Sequence, residues 1–103
     1  MALQLRPNCE YCDKDLPPAA TEARICSYEC TFCAHCVENE LHDVCPNCGG
    51  GFVARPVRPA REWRTGAYLG LRPASTVVKH RPVDLLRHAQ FVAGMGGLPP
   101  ERR

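Results

Sequence analysis

All eight cysteines of this 103-residue chain lie between Cys9 and Cys48. They run Cys9-x2-Cys12, thirteen residues, Cys26-x3-Cys30-x2-Cys33-x2-Cys36, eight residues, Cys45-x2-Cys48. Two residues between thiolates let the backbone turn tightly, so both sulfurs reach one ion at ~2.3 Å while backbone N–H groups hydrogen-bond the sulfurs. Pro46 and Gly49-Gly50 suit such a turn in the last pair. Four half-sites make two tetrahedral sites of four sulfurs each. Zinc is the usual ion for that closed, redox-inert geometry, and an iron–sulfur centre is the metal alternative.

The first residues, Met1 to Asn8, hold no apolar stretch of the kind a secretory signal needs. The expected compartment is therefore the cytoplasm, where disulfides rarely persist and clustered cysteines serve metals. No βαβ pattern surrounds a Cys-x-x-Cys to suggest a thioredoxin-like redox site. No apolar run approaches ~18 residues, so a membrane span is not expected. With three Phe, three Tyr and one Trp against ten Pro and eight Gly, the chain has little with which to build a core. A core of this size supplies about 3–5 kcal/mol, whereas structural zinc brings ~10–16 kcal/mol of apparent binding free energy. Metal is thus expected to decide whether the first half folds.

The spacing leaves two ways to share ions. In a sequential arrangement Cys9, Cys12, Cys26 and Cys30 hold one ion, and Cys33, Cys36, Cys45 and Cys48 the other. In an interleaved arrangement Cys9, Cys12, Cys33 and Cys36 form site 1, and Cys26, Cys30, Cys45 and Cys48 form site 2.

The pattern of paired ligands, with Phe32 just before Cys33 and Cys45-Pro46-x-Cys48 closing the set, resembles a RING-type cross-brace zinc finger over residues 9–50. Cys30 stands where that pattern usually has a His. The resemblance implies the interleaved pairing and two structural Zn2+ ions. The chain is also similar to a family of short bacterial proteins with eight cysteines. The strings carrying that likeness are Leu5-Arg6-Pro7-Asn8-Cys9-Glu10, Asp15-Leu16-Pro17-Pro18, Ala23-Arg24-Ile25-Cys26-Ser27, Glu29-Cys30-Thr31-Phe32-Cys33 and Cys45-Pro46-Asn47-Cys48-Gly49-Gly50. This likeness implies a bacterial cytosolic zinc protein and transfers no activity.

The expected fold is a small metal-stabilised α+β, RING-like two-zinc module over residues 5–53. It has a short β-hairpin, one helix, and a basic, partly disordered C-terminal tail over 54–103. Arg24-Ile25-Cys26 and Thr31-Phe32-Cys33 flank the hairpin, Ala34 to His42 suits the helix, and Phe52-Val53 adds a last strand. Ile25, Phe32, Val37 and Leu41 are the core candidates. In the tail, Arg55-Pro56-Val57-Arg58-Pro59 favours extended backbone. A short helix near 83–93 is expected, with Pro82 in its first turn, Gly94 as its C-terminal cap and an apolar stripe of Leu85, Leu86, Ala89, Val92 and Ala93; it either packs on the zinc module or a second copy, or stays nascent in a mobile tail. Leu98 to Arg103 is expected to be disordered.

Charge divides the chain in the same place. Residues 1–51 carry three basic and eight acidic side chains, and residues 52–103 ten and three. The net +2 therefore hides an acidic half and a basic half. Sites filled by four cysteines leave no coordination position for water or substrate, which points to structural metal and a module that binds an unidentified protein partner. The alternative is nucleic-acid binding through the Arg-rich tail, where Trp63 and Tyr68 lie among Arg55, Arg58, Arg61, Arg64, Arg72, Lys79, Arg81 and Arg87. A ubiquitin-ligase-like RING and a redox or zinc-release sensor are further readings. The ligase reading is weakened by Glu40 at a position where an apolar anchor is common, and by Gly49 where a basic side chain is. His35 and His42 are read as solvent-facing or supporting groups, and His80 and His88 as lacking any partner pattern. No catalytic triad, carboxylate pair or phosphate-cradling loop is legible, so no enzyme is expected.

Overall fold

A computed structural model describes residues 2–103. Strand β1 (Ala23–Ile25) and strand β2 (Thr31–Cys33) form the expected hairpin, antiparallel with Arg24 opposite Phe32. The turn between them passes through Glu29, whose φ of 65° is left-handed. Helix α1 (Ala34–Cys36) follows directly and widens into a π-helical turn over Val37–Leu41. The wider turn lets the Val37 carbonyl accept from both the His42 and Asp43 N–H groups. His42 and Asp43 then both adopt left-handed φ, at 53° and 59°, and turn the chain toward Cys45. Strand β3 (Val53–Ala54) pairs antiparallel with the free edge of β1, giving the sheet order β2-β1-β3. The result is a small α+β fold with a three-stranded sheet and two helices, the second being α2 (Leu85–Gly94).

The core is small and made largely of sulfur. Ile25, Phe32, Val37 and Leu41 are buried as expected, together with Leu5, Leu16, Ala20, Ala23, Val44 and six of the cysteines. Leu16 and Ala20 come from a Pro-rich stretch that reads only as loop. Phe32 is 1 % exposed and meets Phe52 edge-on at 5.5 Å between ring centres, a geometry that aromatic quadrupoles favour.

The tail lies against the first half. It is described throughout, and it wraps the first half through a series of hydrogen bonds to backbone. Ser75 N–H donates to Leu5 O (2.9 Å), Arg81 N–H to Glu10 O (2.7 Å), and Asn8 Nδ2 to Lys79 O (2.9 Å). His80 Nε2 donates to Tyr11 O at 3.0 Å, so this histidine has a partner that its sequence context does not show. The radius of gyration, 14.7 Å, exceeds the ~13 Å of a compact domain this long, as a wrapped rather than packed segment requires.

Helix α2 begins at Leu85, three residues after Pro82. Asp84 caps it, with Oδ1 accepting from Leu86 N–H (3.1 Å) and Arg87 N–H (3.2 Å), thereby satisfying N–H groups that the helix cannot pair itself. Gly94 is its last residue and Met95 its cap. The apolar stripe is not the docked face: Leu86 is 80 % exposed, and His88 is the buried residue. His88 Nε2 donates to Leu41 O at 2.8 Å, which joins α2 to the end of the π-helical turn. Phe91 and Met95 lie over Gly49, where an added Cβ would sit 3.3 Å from the Phe91 ring and 2.9 Å from the Met95 methyl. The terminus, expected to be disordered, forms a 3-10 turn over Pro100–Arg102. Beyond it, the Arg103 guanidinium donates to Asp43 O (2.9 Å) and Gly49 O (3.2 Å).

Candidate metal centres

The first and last cysteine pairs sit on near-identical turns. At Cys9-x2-Cys12, the Cys9 N–H donates to Lys14 O (2.8 Å) and the Asp13 N–H to Cys9 O (2.9 Å). At Cys45-x2-Cys48, Cys45 N–H donates to Gly50 O (2.8 Å) and Gly49 N–H to Cys45 O (2.8 Å). Each turn closes on a left-handed residue, Asp13 at 63° and Gly49 at 79°. Glycine adopts that geometry freely and aspartate tolerates it. The other two pairs belong to the hairpin and the helix that follows. Cys26 and Cys30 bracket the β1–β2 turn, Cys33 ends β2, and Cys36 ends α1.

The fold brings the Sγ atoms of Cys9, Cys12, Cys33 and Cys36 within 4.8 Å of one another. Cys12 Sγ and Cys33 Sγ are 3.8 Å apart, which matches the edge of about 3.8 Å of a tetrahedron with metal–sulfur bonds of ~2.3 Å. The Sγ atoms of Cys26, Cys45 and Cys48 form a second group within the same limit. Cys30 stands at the margin of that group. It is buried, and its sulfur accepts from Asn47 Nδ2 at 3.4 Å. The first group is made of the four sulfurs of site 1, and the second of three of the four sulfurs of site 2, without Cys30. Both donor sets suit a thiophilic cation. No histidine belongs to either group: His35 is exposed and bonded to Asn39, and His42 is exposed at the turn.

Donors surround the sulfurs as they would surround thiolates. Tyr28 N–H points at Cys26 Sγ (3.3 Å) and Gly50 N–H at Cys48 Sγ (3.4 Å). Burial, reinforced by the neighbouring sulfurs of Cys33, Cys9 and Cys12, pushes the Cys36 thiol well above its ordinary value. Burial likewise pushes the Cys45 thiol up, against backbone N–H groups of Asn47 and Cys48 that favour its ionised form, and the sulfurs of Cys30 and Cys26 add to the rise. Sulfurs crowded in this way resist ionisation unless a cation sits among them.

Sequence reasoning misses the polar frame beside the second group. Glu10 is 2 % exposed, and its Oε2 accepts from Arg6 Nη1 (2.7 Å) and Thr31 N–H (2.7 Å). Burial opposes the charge on Arg6, but Glu10 and then the nearby Cys30 sulfur outweigh it and raise the guanidinium above its usual value. Arg6 is thus the countercharge to the buried Glu10. Its i,i+4 spacing to Glu10 across Cys9 was the one available signal. Arg55, read from sequence as a tail cation free for phosphate, is 4 % exposed. Its guanidinium donates to Arg6 O (2.9 Å), Leu16 O (3.2 Å) and Pro17 O (2.9 Å), so it is a cross-link of the first half and cannot reach a nucleic acid.

Among the described residues no helix is long and apolar enough to cross a membrane. No solved structure matches the chain. A protein from Rhizobium meliloti (strain 1021), described as uncharacterized protein R02474, is 55% identical over 80 residues, covering 78% of this chain and 88% of that one. An alignment of that length reaches beyond residue 58 and so takes in part of the tail. The family model described as protein of unknown function, DUF1272, matches residues 2–58, the stretch that holds both sulfur groups. The chain belongs to the DUF1272 family.

Proposed function

We propose that this chain is a structural zinc protein, not an enzyme, whose cysteine module over residues 5–53 and basic tail over 54–103 together present a surface to a protein partner. Cys9, Cys12, Cys33 and Cys36 hold one Zn2+, and Cys26, Cys30, Cys45 and Cys48 hold the other. The observation that carries this reading is the four-sulfur cluster with its 3.8 Å edge. Once it is filled by one ion, no position remains for water or substrate. Zinc would supply charge neutralisation and cross-linking here, and the chain's own N–H donors would keep the thiolates oriented. The exposed apolar groups Tyr28 (72 %) and Leu86 (80 %) are candidates for partner contact. A RING-like cross-brace remains part of this proposal. A ligase role has less support, because Phe91 and Met95 of α2 lie over Gly49, beside the last cysteine pair.

Nucleic-acid binding through the tail is the second reading. It is favoured by Trp63, 73 % exposed between the exposed Arg61 and Arg64, although Arg55 is removed from the set and Arg58 is bonded to Arg72 O at 2.6 Å. Native mass spectrometry of protein purified under reducing conditions tests the metal reading: two zinc ions per chain are expected, and a metal-free chain with S–S bridges overturns it. Affinity capture with the zinc-loaded full-length chain then separates the two surfaces. Retention of a protein that survives nuclease supports the first reading, and retention lost with nuclease and with rising salt supports the second.

A further inference from the structure

The seam between the cysteine module and α2 forms an open cleft of about 360 Å³, within the ~300–1,000 Å³ range of small-molecule sites. We propose that it binds a small carboxylic acid with an aryl or short alkyl body. One side comes from the module, with Phe32 and Pro46, and the other from the tail, with Val83 and Phe91. Phe91 stays 43 % exposed although its helix is docked. These groups make the walls apolar, so an occupant needs an apolar body.

The charges at the cleft select the other end of that occupant. Of its two acidic groups, Glu10 already accepts from Arg6 and Thr31, and Asp84 is committed to the α2 cap and to Arg87, whose Nε lies 3.8 Å away. Glu10 is therefore closed to a ligand cation, and at Asp84 the Arg87 guanidinium offsets the charge. Arg81, by contrast, has its backbone anchored on Glu10 O at 2.7 Å, while its guanidinium has no hydrogen-bond or ion-pair partner among the described residues. A fixed backbone with an uncommitted guanidinium beside aromatic walls suits a carboxylate, which the planar fork can grip with two parallel bonds. Because the walls come from both halves of the chain, the same ligand holds α2 against the module, and binding and tail docking reinforce each other.

The test uses the full-length chain, shown beforehand to be folded and to carry its metal, with 4-phenylbutyrate as the probe in calorimetric titration and amide hydrogen exchange. The neutral isostere 4-phenylbutan-1-ol and the cation 4-phenylbutylamine are run beside it. Saturable binding of the acid, at least tenfold weaker binding of the alcohol and slower exchange in α2 are expected. Arg81→Gln touches no contact within the fold and should lower affinity for the acid about tenfold or more, with Arg81→Lys intermediate. Equal binding of acid and alcohol, preference for the amine, an unchanged Arg81→Gln variant, or no binding at millimolar acid each overturns the proposal. Any of these results leaves the metal content of the same sample, and thus the zinc reading, untouched.

Discussion

The first half of this molecule and its tail are ordered by different means. In the first half, short-range turns place sulfurs in pairs, and the pairs converge on two points: Cys9 N–H and Cys45 N–H each close the same ring to the carbonyl five residues on. In the tail, the internal bonds make only helix α2 and local turns, such as Leu69 N–H to Pro59 O (2.9 Å) and Arg72 N–H to Tyr68 O (2.9 Å). Residues 55–84 hold position through bonds to the backbone of the first half, and α2 is fixed chiefly by His88 on Leu41 O and by Phe91 and Met95 over Gly49. The first half therefore supplies the order and the tail borrows it. Losing the first half should take the tail with it, whereas freeing the tail should leave the first half standing.

The largest expected effect breaks the sulfur clusters. Cys33→Ser removes one vertex of the four-sulfur group, and with it most of the ~10–16 kcal/mol that a structural ion contributes. Far-UV circular dichroism should show the module largely unfolded, and mass spectrometry at least one ion lost. A Cys33→Ser protein that keeps both ions and its spectrum breaks the comparison.

Acid should act in the same direction. Protons compete with the cation for sulfur, so the stability of the loaded chain is present at neutral pH and is lost as pH falls. In reduced, chelated protein the sign reverses. There the folded form holds the raised Cys36 and Cys45 protons that an unfolded chain releases near ~8.5. Any residual structure is thus most stable below that value and weakens as pH rises through it. Denaturation midpoints measured on both sides of neutrality, with and without chelator, should show these opposite slopes.

Next in size is Arg55→Ala. It strips the donor from three carbonyls at Arg6, Leu16 and Pro17 and should cost about 3 kcal/mol in urea denaturation of the loaded protein. The change falls in the first half although the residue belongs by composition to the basic tail. His88→Ala should cost about 1–2 kcal/mol of docking only. Amide exchange should quicken across α2 and stay unchanged at β1 and β2. Equal loosening in both places would mean that the two regions are one cooperative unit. The smallest effect belongs to His42→Ala: under ~1 kcal/mol in the melt, from its left-handed φ, and no change in metal content. Loss of an ion there would make His42 a ligand.

Parts of this were legible because they are local. The hairpin around Cys26 to Cys33, the β3 extension at Val53 and the four core residues all follow from short-range pattern. Helix α2 was legible as a helix, but its docked face was not. Periodicity weights Leu85, Leu86 and Ala93, whereas the helix turns His88 inward, where its ring joins the Val44 N–H on the Leu41 carbonyl and so finds the partner that a buried imidazole needs. Arg55 and Glu10 were illegible for a related reason. A charged residue in a polar sequence reads as solvated until the backbone carbonyls or the guanidinium that will surround it are known.

By itself, then, the sequence determined that Cys9 with Cys12, Cys33 with Cys36, and Cys45 with Cys48 come as pairs, since a two-residue spacing on a tight turn can bring two sulfurs to one point. It also set the charge division between the two halves. Only the tertiary structure decided which pairs converge, that Cys30 stands apart from the second group and accepts from Asn47, and which tail groups are buried. Those outcomes depend on which surfaces meet, and the energy of a buried polar group is set by its neighbours in space and not by its neighbours in the chain.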